Sequence, residues 1–162
     1  MAVRELPFLA QLTVRAPDGR SLLPSVNEVA TWTRPGSGDG AVHVLGLGPD
    51  EWLVVAPPTA AEGLEADFSR VGSIVDVSAQ RTTLELTGAA VRQVLAHGCA
   101  LDLHPTVFGV GRCAQTMLAH AQVIIWHCAP DEFRVLVRPS FADYLAAWLS
   151  DAVRELRTLP PS

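Results

Sequence analysis

The side chains in this 162-residue chain that could do chemistry are five histidines, three cysteines and a few carboxylates and arginines. Cys99, Cys113 and Cys128 together with the histidines would suit a metal site or a redox sensor. Ligand sets of that kind need close spacing, and neither Cys-x-x-Cys, His-x-x-x-His nor a helical Glu-x-x-His occurs. His127 and Cys128 are neighbours in a strand-like run and point to opposite faces. Three widely spaced cysteines read as free thiols rather than disulfides. Cys99 is the best thiol candidate, yet it follows a predicted helix C-terminus, where the dipole raises a thiol pKa. No serine stands in a Gly-x-Ser-x-Gly elbow. Gly46-Leu-Gly48 begins like a dinucleotide fingerprint, but Pro49 opens a turn rather than a helix.

Asp76, Asp102 and His104 remain. Asp76 lies among apolar residues of a predicted strand, where an unpaired carboxylate is costly. Its expected partner is Arg81 or Arg112 in a salt bridge, and a catalytic role is the alternative. Asp102-Leu-His104 before Pro105 could be an acid–histidine pair; a turn that caps itself is the preferred reading. Asp76, Gln80, Arg81, Asp102, His104, Arg112 and Gln115 are accordingly expected to be structural or partner-contact residues, with no catalytic, cofactor or metal ligand assigned.

The elements that position these residues read as strands over Gln11–Arg15, Val42–Leu47, Glu51–Ala56, Ile74–Val77, Thr82–Leu86, Cys113–Ala119, Gln122–Cys128 and Glu132–Val137, with alternation in Gln11–Arg15, Ile74–Val77 and Thr82–Leu86 and a buried apolar run in Glu51–Ala56. Helices are predicted from Thr59, as N-cap with Glu62, to about Val71; from Ala89 to His97; and from Ser140, as cap, to about Leu156. Residues 20–40, broken by prolines and glycines, read as an extended arm or long loop. Pro160-Pro161-Ser162 reads as a frayed end. Gly48-Pro-Asp-Glu-Trp-Leu-Val-Val-Ala-Pro-Pro58 aligns with Ala129-Pro-Asp-Glu-Phe-Arg-Val-Leu-Val-Arg-Pro139, each followed by a helix. The expectation is an α+β fold, an antiparallel sheet with helices packed on it, made of two related β-hairpin–helix halves. It forms one domain over 1–162, with an N-terminal strand and arm (1–41) and a core (42–156).

Composition narrows the function. A net charge of −5 and a pI near 5.4 argue against nucleic acid as a partner. All 12 basic residues are arginine, which excludes lysine-dependent chemistry. The chain is 49% hydrophobic with mean hydropathy +0.25, without an apolar run long enough for a membrane span. Part of that apolar surplus is expected to lie against another chain. The N-terminal Met-Ala-Val-Arg-Glu-Leu-Pro is no secretory signal, so the expected location is the cytoplasm.

Five blocks then point further: Asp76-Val-Ser78, Thr83-Leu-Glu-Leu-Thr-Gly88, Cys99-Ala-Leu-Asp-Leu-His-Pro105, Gly111-Arg-Cys-Ala-Gln-Thr116 and Ser140-Phe-Ala-Asp-Tyr144. Over roughly Leu45 to Val153 the chain resembles the gamma subunit family of heterotetrameric sarcosine oxidases. More loosely it is similar to the folate-binding aminomethyltransferase family of the glycine cleavage system, at less than half the length. The resemblance implies a small α+β subunit without its own cofactor, docked on an alpha subunit and accompanied by beta and delta subunits. FAD, FMN, NAD and tetrahydrofolate would belong to the partner chains and zinc to delta. The complex would oxidatively demethylate sarcosine, passing the one-carbon unit to tetrahydrofolate and electrons to oxygen. The expected role is non-catalytic assembly. A stand-alone folate-binding or aminomethyltransferase-like protein using Asp76, Arg81 and Arg112 is the alternative, since arginine suits a glutamyl tail. A metal or redox sensor is a third reading.

Overall fold

A computed structural model describes residues 1–17, 23–32 and 40–158. The end of the first predicted turn, the segments 20–22 and 33–39 of the expected arm, and the terminal Pro160-Pro161-Ser162 lie outside the described residues.

The chain forms two compact units. One comprises Pro7–Gln80 with Gly111–Cys113; the other comprises Met1–Leu6, Arg81–Val110 and Ala114–Ser162. The first unit holds β2 (Ala10–Arg15), β3 (Val29–Trp32), β4 (Val42–Gly48), β5 (Glu51–Ala56), helix α1 (Leu64–Phe68) and β6 (Ser73–Asp76). Its antiparallel sheet runs β3-β4-β5-β2-β6. The second holds β1 (Ala2–Leu6), β7 (Thr82–Thr87), α2 (Val91–Ala96), β8 (Cys113–Leu118), β9 (Ala121–Ala129), β10 (Glu132–Val137) and α3 (Ala142–Thr158). Its sheet runs β1-β7-β10-β9-β8.

Strand period and helix period meet in each core. In the first unit α1 turns Leu64 and Phe68 onto Leu12, Val14, Val44, Trp52 and Val54. Trp32 packs against Phe68 with ring centroids 5.3 Å apart. In the second, Val91, Val94 and Leu95 of α2 and Leu145 and Leu149 of α3 cover Leu84, Leu86, Ile125, Phe133 and Val135. Each such Leu or Phe contributes about 1.5–3 kcal/mol by leaving water.

The two sheets share one plan. Hairpin β4–β5 corresponds to β9–β10, with β5 starting at Glu51 and β10 at Glu132, the 81-residue offset seen in the sequence. A turn of 3₁₀ helix follows each, at Pro58–Ala60 and Pro139–Phe141. β5 then pairs with β2 and β10 with β7. The outermost strand next to these is supplied differently. In the first unit it is β6, which follows α1; in the second it is β1, the start of the chain.

Several sequence expectations need correction. Thr59 does not cap a helix running to Val71: the prolines give a 3₁₀ turn, and α1 starts only after Gly63, at φ 73°. That conformation is cheap for glycine and interrupts a continuous helix. Ser140 lies inside the 3₁₀ turn that precedes α3 rather than at its cap. Val29–Trp32, read as part of an arm, pairs with β4, and Ala2–Leu6, to which no strand of its own was assigned, is an edge strand.

Candidate functional site

Asp76 ends β6, and its side chain is exposed. Its Oδ1 accepts the Ser78 N–H at 2.8 Å, opening the 3₁₀ turn Ser78–Gln80. Hydrogen bonding from Ser78, side chain first and backbone second, holds the Asp76 carboxyl below its ordinary 3.8. The Ser78 hydroxyl accepts the Gln11 N–H at 2.9 Å, which ties this turn to β2. The expected salt bridge to Arg81 or Arg112 is therefore replaced by a local turn, because a carboxylate two residues before an N–H needs little ordering to reach it. Gln80 ends that turn, its N–H on the Val77 carbonyl at 2.9 Å and its side chain exposed.

Asp102 does the same for the loop 99–111. Its Oδ1 accepts the His104 N–H at 2.9 Å, and His104 Nδ1 sits 2.7 Å from the Thr106 hydroxyl. Both residues are exposed. Asp102 and His104 are thus joined through a backbone N–H, and the imidazole is turned to Thr106 instead of to the carboxylate.

The loop is fastened by Arg92, which no sequence motif singles out, and by His127, for which the sequence suggested only a metal-ligand role beside Cys128. Arg92, on α2, donates from Nη1 to the Leu103 carbonyl and, at 3.4 Å, to the Phe108 carbonyl. Arg92 Nη2 lies 3.1 Å from His127 Nε2, while His127 Nδ1 lies 3.1 Å from the Phe108 carbonyl. A carbonyl can only accept, so Nδ1 carries the proton and Nε2 accepts from Arg92. His127 is 2% exposed and stacks on Phe133 at 4.4 Å, with Arg92 over the same ring at 5.0 Å. The available signal was a histidine ending the apolar run Val123-Ile-Ile-Trp126.

Arg112 bridges to Glu28 at 3.5 Å. Next to it Cys113 is buried, its thiol aimed at the carbonyls of Glu28 and Gly46 at 3.6 and 3.7 Å. Burial pushes the Cys113 thiol up to about 12, and burial does the same for Cys128. Neither is a thiolate nucleophile at neutral pH. Among the described residues, no three His, Cys, Asp or Glu side chains group as a metal ion would require.

Two of the seven expected residues do meet. Arg81 and Gln115 line one pocket of about 340 Å³ in the second unit, together with Arg138, Gln122, Ile124 and Leu136. Asp76 lies on the edge of another, about 480 Å³, lined by Phe8, Leu9, Leu12 and Leu64 in the first unit.

No helix among the described residues is long and apolar enough to cross a membrane. The sarcosine oxidase, gamma subunit family matches residues 28–155. A sarcosine oxidase subunit gamma of Corynebacterium sp. (strain P-1) is 37% identical over 168 residues, covering 98% of this chain and 82% of that one. One from an Arthrobacter species is 37% identical over 170 residues, covering 96% and 81%. Among solved structures, a chain of the heterotetrameric sarcosine oxidase from Corynebacterium sp. U-96 in complex with pyrrole 2-carboxylate superposes with TM-score 0.81 at 35% identity. That match covers 99% of this chain and 87% of the other. The glycine cleavage system aminomethyltransferase T from Bartonella henselae superposes with TM-score 0.65 at 16% identity, covering 91% of this chain and 44% of that one. This second likeness is one of fold. With the family match spanning most of the chain and these relatives above 35% identity over nearly all of it, the chain belongs to the sarcosine oxidase gamma subunit family.

Proposed function

We propose that this chain is the non-catalytic gamma subunit of a heterotetrameric sarcosine oxidase, and that it stabilises the assembly. The observation that carries this reading is the superposition of 99% of the chain on one chain of such a heterotetramer, at TM-score 0.81. The disposition of its polar groups supports it. Asp76, Asp102, Arg92 and His127 are committed to turns and to the 99–111 loop, and the Cys113 and Cys128 thiols are held neutral. Phe8 supports a docking role: it is 88% exposed at φ 60°, a conformation costly for a bulky side chain.

In this reading the main partner is the alpha subunit, with beta and delta completing the complex in the cytoplasm. FAD, FMN, NAD, tetrahydrofolate and zinc then reside in those chains. The stand-alone folate binder finds less support, since Asp76 is held by Ser78 and Arg112 by Glu28.

Co-expression with candidate alpha, beta and delta subunits tests the proposal. The chain is expected to co-purify with them and to raise the yield and thermal stability of sarcosine-oxidising complex. Equal assembly and activity of the other three without it would overturn the reading.

A further inference from the structure

The ladder between β7 and β10 carries opposite charges within it, and an arginine on each chain segment lies just beyond its far end. Arg134 stands opposite Glu85, the favourable cross-strand arrangement, with the charged groups 3.9 Å apart. Further along the same ladder Thr82 pairs with Val137 as the last rung. Arg81 immediately precedes Thr82 and Arg138 immediately follows Val137, just beyond the end of the ladder. Two guanidiniums gathered at one site repel each other. Arg138 has no carboxylate at salt-bridge distance among the described residues.

Both arginines line the pocket of about 340 Å³, and none of its lining residues is acidic. Gln115 and Gln122 add side-chain amides, and Leu136 and Ile124, both buried, add an apolar surface. The volume lies within the range of small-molecule sites. Guanidinium forks match a carboxylate bidentately, and a bound anion removes the repulsion between them. The chain's net charge of −5 disfavours anions in general, so attraction here must come from this local pair.

We propose that this pocket binds a small organic acid, with its carboxylate held between Arg81 and Arg138 and its apolar body against Leu136 and Ile124.

Calorimetric titration of the full chain at low salt with benzoate, and with benzamide as an uncharged analogue of similar shape, tests this. Benzoate is expected to bind one to one, and benzamide at least about tenfold more weakly, since it lacks the charge that strengthens hydrogen bonds to arginine. Arg138→Gln alters an exposed residue and should weaken benzoate by about tenfold, the loss of one charge-assisted contact. Arg154→Gln, outside the pocket, should leave binding unchanged. If Arg138→Gln lowers the unfolding temperature, Arg138→Lys keeps the charge without the fork and should weaken benzoate by a smaller factor. Absence of benzoate binding at millimolar concentration, equal binding of benzamide, or unchanged binding to folded Arg138→Gln would each overturn the proposal.

Discussion

Arg92 and His127, 35 residues apart in sequence, meet with Nη2 and Nε2 3.1 Å apart over the Phe133 ring. Through this contact a short helix, the inner strand β9 and the loop 99–111 share one set of hydrogen bonds. Arg92→Met keeps the apolar stem but leaves the His127 nitrogen and the Leu103 carbonyl without their donor. A loss of about 2–3 kcal/mol is expected, as for hydrogen bonds to a charged group. The urea midpoint should fall while the slope stays constant; an unchanged midpoint would show that the loop does not depend on this link.

Gly46 on β4 packs directly beneath the segment that leads into β3. A Cβ there would meet the Ser25 carbonyl oxygen at 2.1 Å, a backbone atom that cannot swing aside. The Asn27 N–H donates to the Gly46 carbonyl and the Gly46 N–H to that of Glu28, so moving the segment breaks both. Gly46→Ala should cost about 1–3 kcal/mol or more, as overpacking does. Gly48→Ala, whose Cβ would meet only Glu51 Cβ at 3.5 Å, is the control and should change stability by about 0.5 kcal/mol or less. Equal effects from the two would contradict this geometry.

The Cys113 and Cys128 thiols, pushed to about 12 by burial, are protonated in the native state at pH 8. A disulfide reagent at that pH should leave buried Cys113 unlabelled until denaturant is added and label half-buried Cys128 only slowly, as mass spectrometry of labelled peptides would record. Stability follows with a definite sign. The folded pKa is raised, so this contribution is fully present below the ordinary thiol value of 9.0 and is lost as pH rises toward about 12. Cys113→Ala should flatten the alkaline decline; an unaltered decline in the double Cys113→Ala, Cys128→Ala variant would contradict it.

Asp76 acts at the opposite end of the pH scale. Its carboxyl is lowered, so the stability it adds is present above its ordinary 3.8 and disappears as pH falls through the lowered value. Asp76→Asn should remove part of the acid-side slope of the unfolding temperature and leave the alkaline side untouched. Because the group is exposed, the effect is small, and its diagnostic is the pH at which the two proteins converge.

The strand segments and the hairpin repeat were legible in the residues. The apolar run Glu51–Ala56 reads as a strand buried on both faces, Glu132–Val137 is its counterpart, and the 81-residue offset survives intact in the structure. The turn chemistry at Asp102 was legible too, since a carboxylate reaches an N–H two residues on without help from the rest of the chain. The same local logic governs Asp76, where the expectation of a distant arginine was wrong. Of the pocket, Arg81 and Gln115 stood out in the sequence, whereas Arg138 and Gln122 did not.

By itself, then, the sequence determined the α+β class, most element positions and the blocks that carry the family likeness, because each depends on residues within a few positions of one another. Tertiary structure alone decided that Ala2 pairs with Thr87, that Val29–Trp32 joins a sheet, that Arg92 meets His127, and that Arg81 and Arg138 lie just beyond the end of one ladder. These relationships join residues far apart in the chain. Their register is set by the burial of one sheet face against a core, where a slip of one residue would expose every apolar side chain on that face, and no local pattern encodes that choice.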